Sequence, residues 1–359
     1  MSSALMRRAL RGAQNQVRYV RPVRPRDAHG QVAATYLQVE RDFGMLAPPV
    51  SLHSPAPGPL TACWVMLRET LLASGHAGRA AKETVAAVVS DTNTCPYCVA
   101  VHGATVRHLD GVASTARAPG DPPPGIGSWA RACTARASAT STPDPVPAGQ
   151  RQELIGVVVT FQYLNRMVNV FLPEDPVPAQ APAAVRGTAM RVLGRFMGSA
   201  ASQHVRPGEA LALLPDAPLP ADLAWATGHA TVAGAMARAA AAIDATGRGF
   251  VPATAREAVT AELARWDGRP RGPGRAWVHD AVSGLRSADR PAARLALLTA
   301  LASHQVSQSD VTAFQVSQPG DEPLVSLTSW AAMAAARQVG SWVLPTPASA
   351  TASLPTQPQ

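Results

Sequence analysis

The chain has 359 residues, 47% of them apolar and 16% charged, with a formal charge of +8. That length allows two domains of ordinary size, and the composition favours a globular chain over a disordered one. No apolar run reaches the about 20 residues a membrane span needs. The start MSSALMRRALRG has no apolar core of a secretory signal, and four cysteines at this length make no disulfide scaffold. A reducing cytoplasm is the expected location, without a membrane partner.

In chain order, the first segment is a basic arm, residues 1–30, with seven arginines between Arg7 and Arg26. It holds Tyr19 as its only aromatic residue and no nucleic-acid motif, so it is expected to be solvated or to embrace a second subunit rather than bind nucleic acid. Arginine replaces lysine nearly everywhere, Lys82 being the only lysine, as a GC-rich coding bias would produce. Leu60, Trp64, Leu67 and Leu71 then step by four, three and four, the spacing of one helical face. A Pro-rich insert at 117–149, with RAPGDPPPGIG and TSTPDPVPAG, cannot be helical throughout. Leu154, Val157, Val158, Phe161, Leu164, Val168 and Phe171 mark a long helix, and 173–208 reads as a linker. Beyond it, Trp225, His229, Val232, Met236, Ala240 and Ile243 share a face, as do Val259, Leu263 and Trp266. Thr254 with Glu257 predicts a capping box ahead of that last helix. Residues 344–359, LPTPASATASLPTQPQ, read as a disordered tail. No period-two run bounded by turns occurs, so the expected class is all-α.

A weak internal repeat is present. Residues 151–171 resemble 322–342 when Arg166 is set against Arg337, and 79–102 can be set against 290–313. No cysteine follows Cys133. The expectation is two related helical units, 31–172 and 209–343, of which the second is degenerate.

The chemistry concentrates in residues 82–103, KETVAAVVSDTNTCPYCVAVHG. Pro96 predicts a helix from there to about Leu109 with Cys95 near its N-cap. Cys95, Cys98 and His102 then stand at i, i+3 and i+7 on one face. The helix start favours a thiolate, and His102 is placed to take or hold the proton of Cys98. An ordinary thiol with pKa near 8.5 is a few per cent thiolate at pH 7; about two units of lowering needs roughly 2.7 kcal/mol. Glu83 lies on the preceding helix and meets the same point if the two pack as a hairpin. Three other readings stay open on these residues alone: a glutaredoxin-type CPYC motif, which would need a β-strand before it; a zinc site of Cys95, Cys98, His102 and Glu83 or His108; and two buried cysteines with no role. Cys63 and Cys133 have no close partner in sequence.

Glu83, eleven residues, Cys95-x-x-Cys98, three residues and His102 together resemble the core motif of the AhpD-like alkylhydroperoxidases of the carboxymuconolactone decarboxylase superfamily. LHSPAPGPLTACWVMLRE and FQYLNRMVN resemble helices flanking that motif, so the likeness is good over about residues 17–172 and weak beyond. The resemblance implies an all-α AhpD-like helical bundle and peroxide reduction by a dithiol, with no cofactor or metal. In that scheme Cys98 is the peroxidatic nucleophile, Cys95 the resolving thiol, and His102 with Glu83 the proton relay. It further implies an external dithiol or lipoyl-type reductant and a homotrimer of two-unit chains. Tyr97 stands where the family's usual pattern has a histidine. The superfamily's decarboxylases lack the dithiol, which argues against that activity here. Ser307 and Ser309, near the lost thiol positions of the second unit, and His304 are expected to be structural. A function of another class, a non-catalytic redox sensor or assembly protein, would oxidise once without turning over.

Overall fold

The computed structural model describes residues 16–112, 121–139, 141–177, 182–201 and 203–343, and no strand occurs among them. The fold is all-helical. The first half contains α1 (Gly30–Asp42), α2 (Pro57–Leu67), α3 (Arg79–Thr92), α4 (Pro96–Val112), α5 (Ile126–Ala132) and α6 (Arg151–Phe171). After α7 (Ala183–Ala201) come α8 (Ala230–Phe250), α9 (Ala253–Arg265), α10 (Ala276–Val282), α11 (Arg290–Ala302), α12 (Gln308–Ser317) and α13 (Asp321–Trp342).

The apolar spacings decide which faces are buried. α6 is the centre of the molecule: nearly all its residues are buried, and it packs along α13 on one side and α3 on the other. It is long and apolar enough to cross a membrane, yet 94% of its apolar window is buried inside the protein. α2 packs against α8, and α11 and α8 pack against α13, so side chains from Val20 to Val343 form one continuous core. The stripe Leu60, Trp64, Leu67 and Leu71 is wholly buried, and it runs out of α2 into a π-helical turn, Arg68–Leu72. That turn buries Arg68 between Asp42 at 2.6 Å and Glu69 at 2.5 Å, and Glu69 accepts the Gly208 and Ala210 amides at 2.7 and 3.0 Å. A widened turn of this kind re-aims the side chains beside it.

Two segments contain helices that the sequence reading did not name, and two local readings differ from it. The segment 173–208, read as a linker, carries the 19-residue α7, which lies along α4. Within the Pro-rich insert, α5 and a single turn at Arg136–Ala139 form between the prolines. Trp225 belongs to a 3-10 segment, Ala221–Ala226, because His229 caps α8 by accepting the Val232 amide on Nδ1. The capping box at Thr254 and Glu257 does not form: Pro252 occupies the N-cap and the Thr254 hydroxyl has no partner. A capping box forms instead at Ser307 and Asp310, where Asp310 is also held by Arg275 and Arg294. The arm before residue 16 and the tail 344–359 lie outside the described residues; of the arm's remainder, Arg18 binds the carbonyls of Asn169 and Leu172.

Candidate active site

α3 and α4 form a helical hairpin, and the turn between them is tight because Thr94 takes a left-handed conformation (φ 51°). The Val99 amide bonds the Cys95 carbonyl at 3.0 Å, so α4 starts at Cys95 with Pro96 in its first turn, where its missing N–H costs nothing. Folding back in this way places Glu83 on α3 opposite His102 on α4. His102 Nδ1 lies 2.6 Å from Glu83 Oε2, and Arg79 Nε donates to Oε1 at 2.7 Å. Glu83 is fully buried. Burial alone would push its carboxyl up, but Arg79 and His102 outweigh this and hold it at about 2. An ionised Glu83 therefore accepts from Nδ1–H, leaving Nε2 of His102 as the basic nitrogen. The Phe161 ring, 4.7 Å away and edge-on, fixes the imidazole plane.

Cys95 and Cys98 are both buried and unbridged, as are Cys63 and Cys133. Cys98 departs from the expected acidity. Complete burial pushes its thiol well above the ordinary range, and its hydrogen bond to Cys95 pushes the same way, against a smaller opposing bond with Asn165. The favourable helix start is outweighed by loss of water around the sulfur. Burial also raises Cys63, and raises Cys133 to about 12.

A cavity of about 60 Å³ opens on this group. Cys98, His102, Tyr97 and Val101 of α4 line it with Leu67 and Leu71 of the π turn region, Leu164 of α6, and Leu193 and Met197 of α7. Cys95 does not. Its room is about that of two waters, and its wall is apolar apart from Cys98, His102 and the Tyr97 ring. Tyr97 keeps its phenol proton, since burial and the adjacent thiols raise it.

All four site residues inferred from the sequence thus lie on one hairpin, with Glu83 and His102 in direct contact. Two contributors were missed. Arg79 is one turn before Glu83, an i,i+4 pair that spacing could have signalled. Asn165 bonds Cys98, Ser90 and Asn93 from α6, 67 positions past Cys98 in the chain, and leaves no local signal. Among the described residues no group of three or more His, Cys, Asp or Glu side chains could hold a metal ion. His108 lies farther along α4, beside α7.

The chain is 36% identical over 340 residues to alkyl hydroperoxide reductase Rv2159c of Mycobacterium tuberculosis, covering 91% of this chain and 95% of that protein. The chain belongs to the family of this alkyl hydroperoxide reductase, in keeping with the AhpD-like resemblance of its motif. The likeness spans both halves, so the family relation extends well past residue 172, where the sequence motifs alone faded. No family model and no solved structure matches the chain.

Proposed function

We propose that the chain is a thiol-dependent peroxidase of the carboxymuconolactone decarboxylase superfamily, reducing hydroperoxides through Cys98 and Cys95. The observation that carries this reading is the convergence of Cys98 and the Glu83-bound His102 on one small apolar cavity. The name of the relative, an alkyl hydroperoxide reductase, supports it. His102 Nε2 takes the Cys98 proton as peroxide enters, because a thiol raised by burial needs a base at the moment of reaction. The thiolate attacks one peroxide oxygen; the S–O bond forms, the O–O bond breaks, and the alkoxide leaves as alcohol with the proton from His102. Cys95 then attacks the sulfenic sulfur of Cys98, giving the disulfide and water. An external dithiol or lipoyl-type reductant restores both thiols by exchange. Glu83 orients the imidazole and stabilises its charged form. The two tandem units and the homotrimer remain part of the same proposal. The first is supported by the packing of α6 on α13, the helices that hold the paired Arg166 and Arg337.

The raised Cys98 thiol favours a second reading, a buried redox sensor that oxidises slowly and once. Peroxide consumption with dithiothreitol or dihydrolipoamide separates the two. A peroxidase turns over many equivalents, and Cys98→Ser abolishes turnover; consumption that stops at one equivalent per chain supports the sensor.

A further inference from the structure

Arg166 carries a charge into the interior where α6 meets the second half, and it is 5% exposed. Its Nε donates to the Ala300 carbonyl at 2.8 Å, and its Nη1 donates to the Gln162 carbonyl and side-chain oxygen at 2.5 and 2.7 Å. Both hydrogens on Nη2 lack a protein acceptor among the described residues, and no carboxylate there pairs with the guanidinium. Burial pulls Arg166 down to about 9. Arg337, its counterpart in the sequence repeat, is treated differently. It forks onto Asp222 at 2.8 and 2.9 Å and reaches Asp244 at 3.0 Å. A buried guanidinium without a counter-charge is costly, and proteins normally supply one.

Arg166 lines a cavity of about 30 Å³, bounded also by Thr94, Trp266, Ser303 and His304, with no acidic residue in its wall. The Trp266 ring lies 5.6 Å from the guanidinium carbon. Ser303 Oγ accepts from Asn169 at 3.0 Å, which leaves its hydroxyl hydrogen to donate. The Thr94 hydroxyl has no partner among the described residues. We propose that this cavity is an anion site in which Arg166 Nη2, with the Ser303 and Thr94 hydroxyls, binds one small monoanion, a halide or a carboxylate group. A volume of about 30 Å³ suits a halide or the head of a carboxylate. A carboxylate could belong to a longer molecule, because the cavity shares Thr92, Thr94, Gly268 and Pro270 with a broad surface groove. The site lies apart from the cavity over Cys98 and does not depend on the peroxidase reading.

The test uses the full chain and Arg166→Met, the variant serving as reference for general salt effects. Thermal midpoints are followed while chloride or acetate is raised. A ligand that binds only the folded state raises the midpoint, here by about 2 °C or more near saturation. The parent is expected to gain more than the variant with at least one anion: a chloride-only gain assigns a halide, and a gain with acetate assigns a carboxylate. Identical responses overturn the site. Should the variant not fold, bromide quenching of the parent's tryptophan emission decides. A saturable component supports a bound ion beside Trp266, and purely collisional quenching overturns it.

Discussion

Glu83 anchors the proposed thiol chemistry: its carboxyl is held at about 2, it is completely buried, and it is bonded on one oxygen by Arg79 and on the other by His102. Glu83→Gln should leave the helices in place, since Gln keeps one acceptor, but lower peroxide reduction by about ten- to a hundredfold, the ordinary size of general acid–base help. An unchanged rate with an unchanged pH profile would leave His102 acting alone. Cys98 gives a second prediction. Its thiol is raised, so the thiolate fraction at rest is small at neutral pH and grows as pH climbs through and above the ordinary thiol range near 8.5. Alkylation of Cys98, mapped by peptide mass, should therefore keep accelerating above pH 8; a plateau below pH 7 would contradict the burial argument. The placement of Glu83, Cys95, Cys98 and His102 on one hairpin was legible because two helical periods and one short turn fix it, and all three are local features. The acidity of Cys98 was not legible, since it depends on water excluded by α6 and α7, which the motif does not contain.

Elements decide how the site is closed. α7 covers the thiol cavity with Leu193 and Met197, and it approaches α4 closely because Gly194 has no side chain: a Cβ there would meet the Ala104 carbonyl oxygen at 2.6 Å. Gly194→Ala should push α7 outward, at a cost of about 1–3 kcal/mol, and make Cys98 more accessible to alkylating reagents. Urea unfolding and alkylation rates check both halves of that statement, and unchanged values in both would show that α7 does not seal the cavity. The helix pairs also carry buried carboxylates. Burial would raise Glu83 and Glu153, but Arg79 and His102 at the first, and His229 and Lys82 at the second, hold both at about 2 against 4.5 in the unfolded chain. The unfolded state thus binds more protons, so their stabilisation is complete above about 4.5 and is lost as pH falls towards 2. Unfolding midpoints in urea should drop between pH 5 and pH 3; a flat profile would contradict these assignments. Helix faces were readable from period alone, whereas helix starts were not: Thr254 had the right spacing, but Pro252 had already set the backbone. α7 was missed because its large apolar residues, Val185, Met190, Val192, Leu193, Phe196 and Met197, are spread among arginines and glycines.

At the scale of the molecule, the two halves are joined through α6 and α13, and buried residues of both belong to one core. The all-helical class was plain from the sequence, because no segment alternates with period two. The continuity of the core was not, because it arises from contacts between residues some 160 positions apart, such as Tyr163 with Ser329 at 3.2 Å. A chain ending near residue 172 keeps every proposed catalytic residue but bares the face of α6 that α13 covers. It should aggregate or change its subunit number and lose activity. Light scattering and peroxidase assays on that fragment check this, and a soluble fragment with the parent's activity and subunit number would assign the second half another task.

In the proposed reaction the Cys98 sulfur meets peroxide and the Cys95 sulfur resolves the product. One equivalent of an organic hydroperoxide, followed by sulfenic-acid trapping and peptide mapping, tests it in the parent, Cys95→Ser and Cys98→Ser. The expected products are a Cys95–Cys98 disulfide in the parent, a trapped sulfenic acid on Cys98 in Cys95→Ser, and no trapped product in Cys98→Ser. A sulfenic acid on Cys95 in Cys98→Ser, or a parent disulfide that includes Cys63 or Cys133, would contradict it.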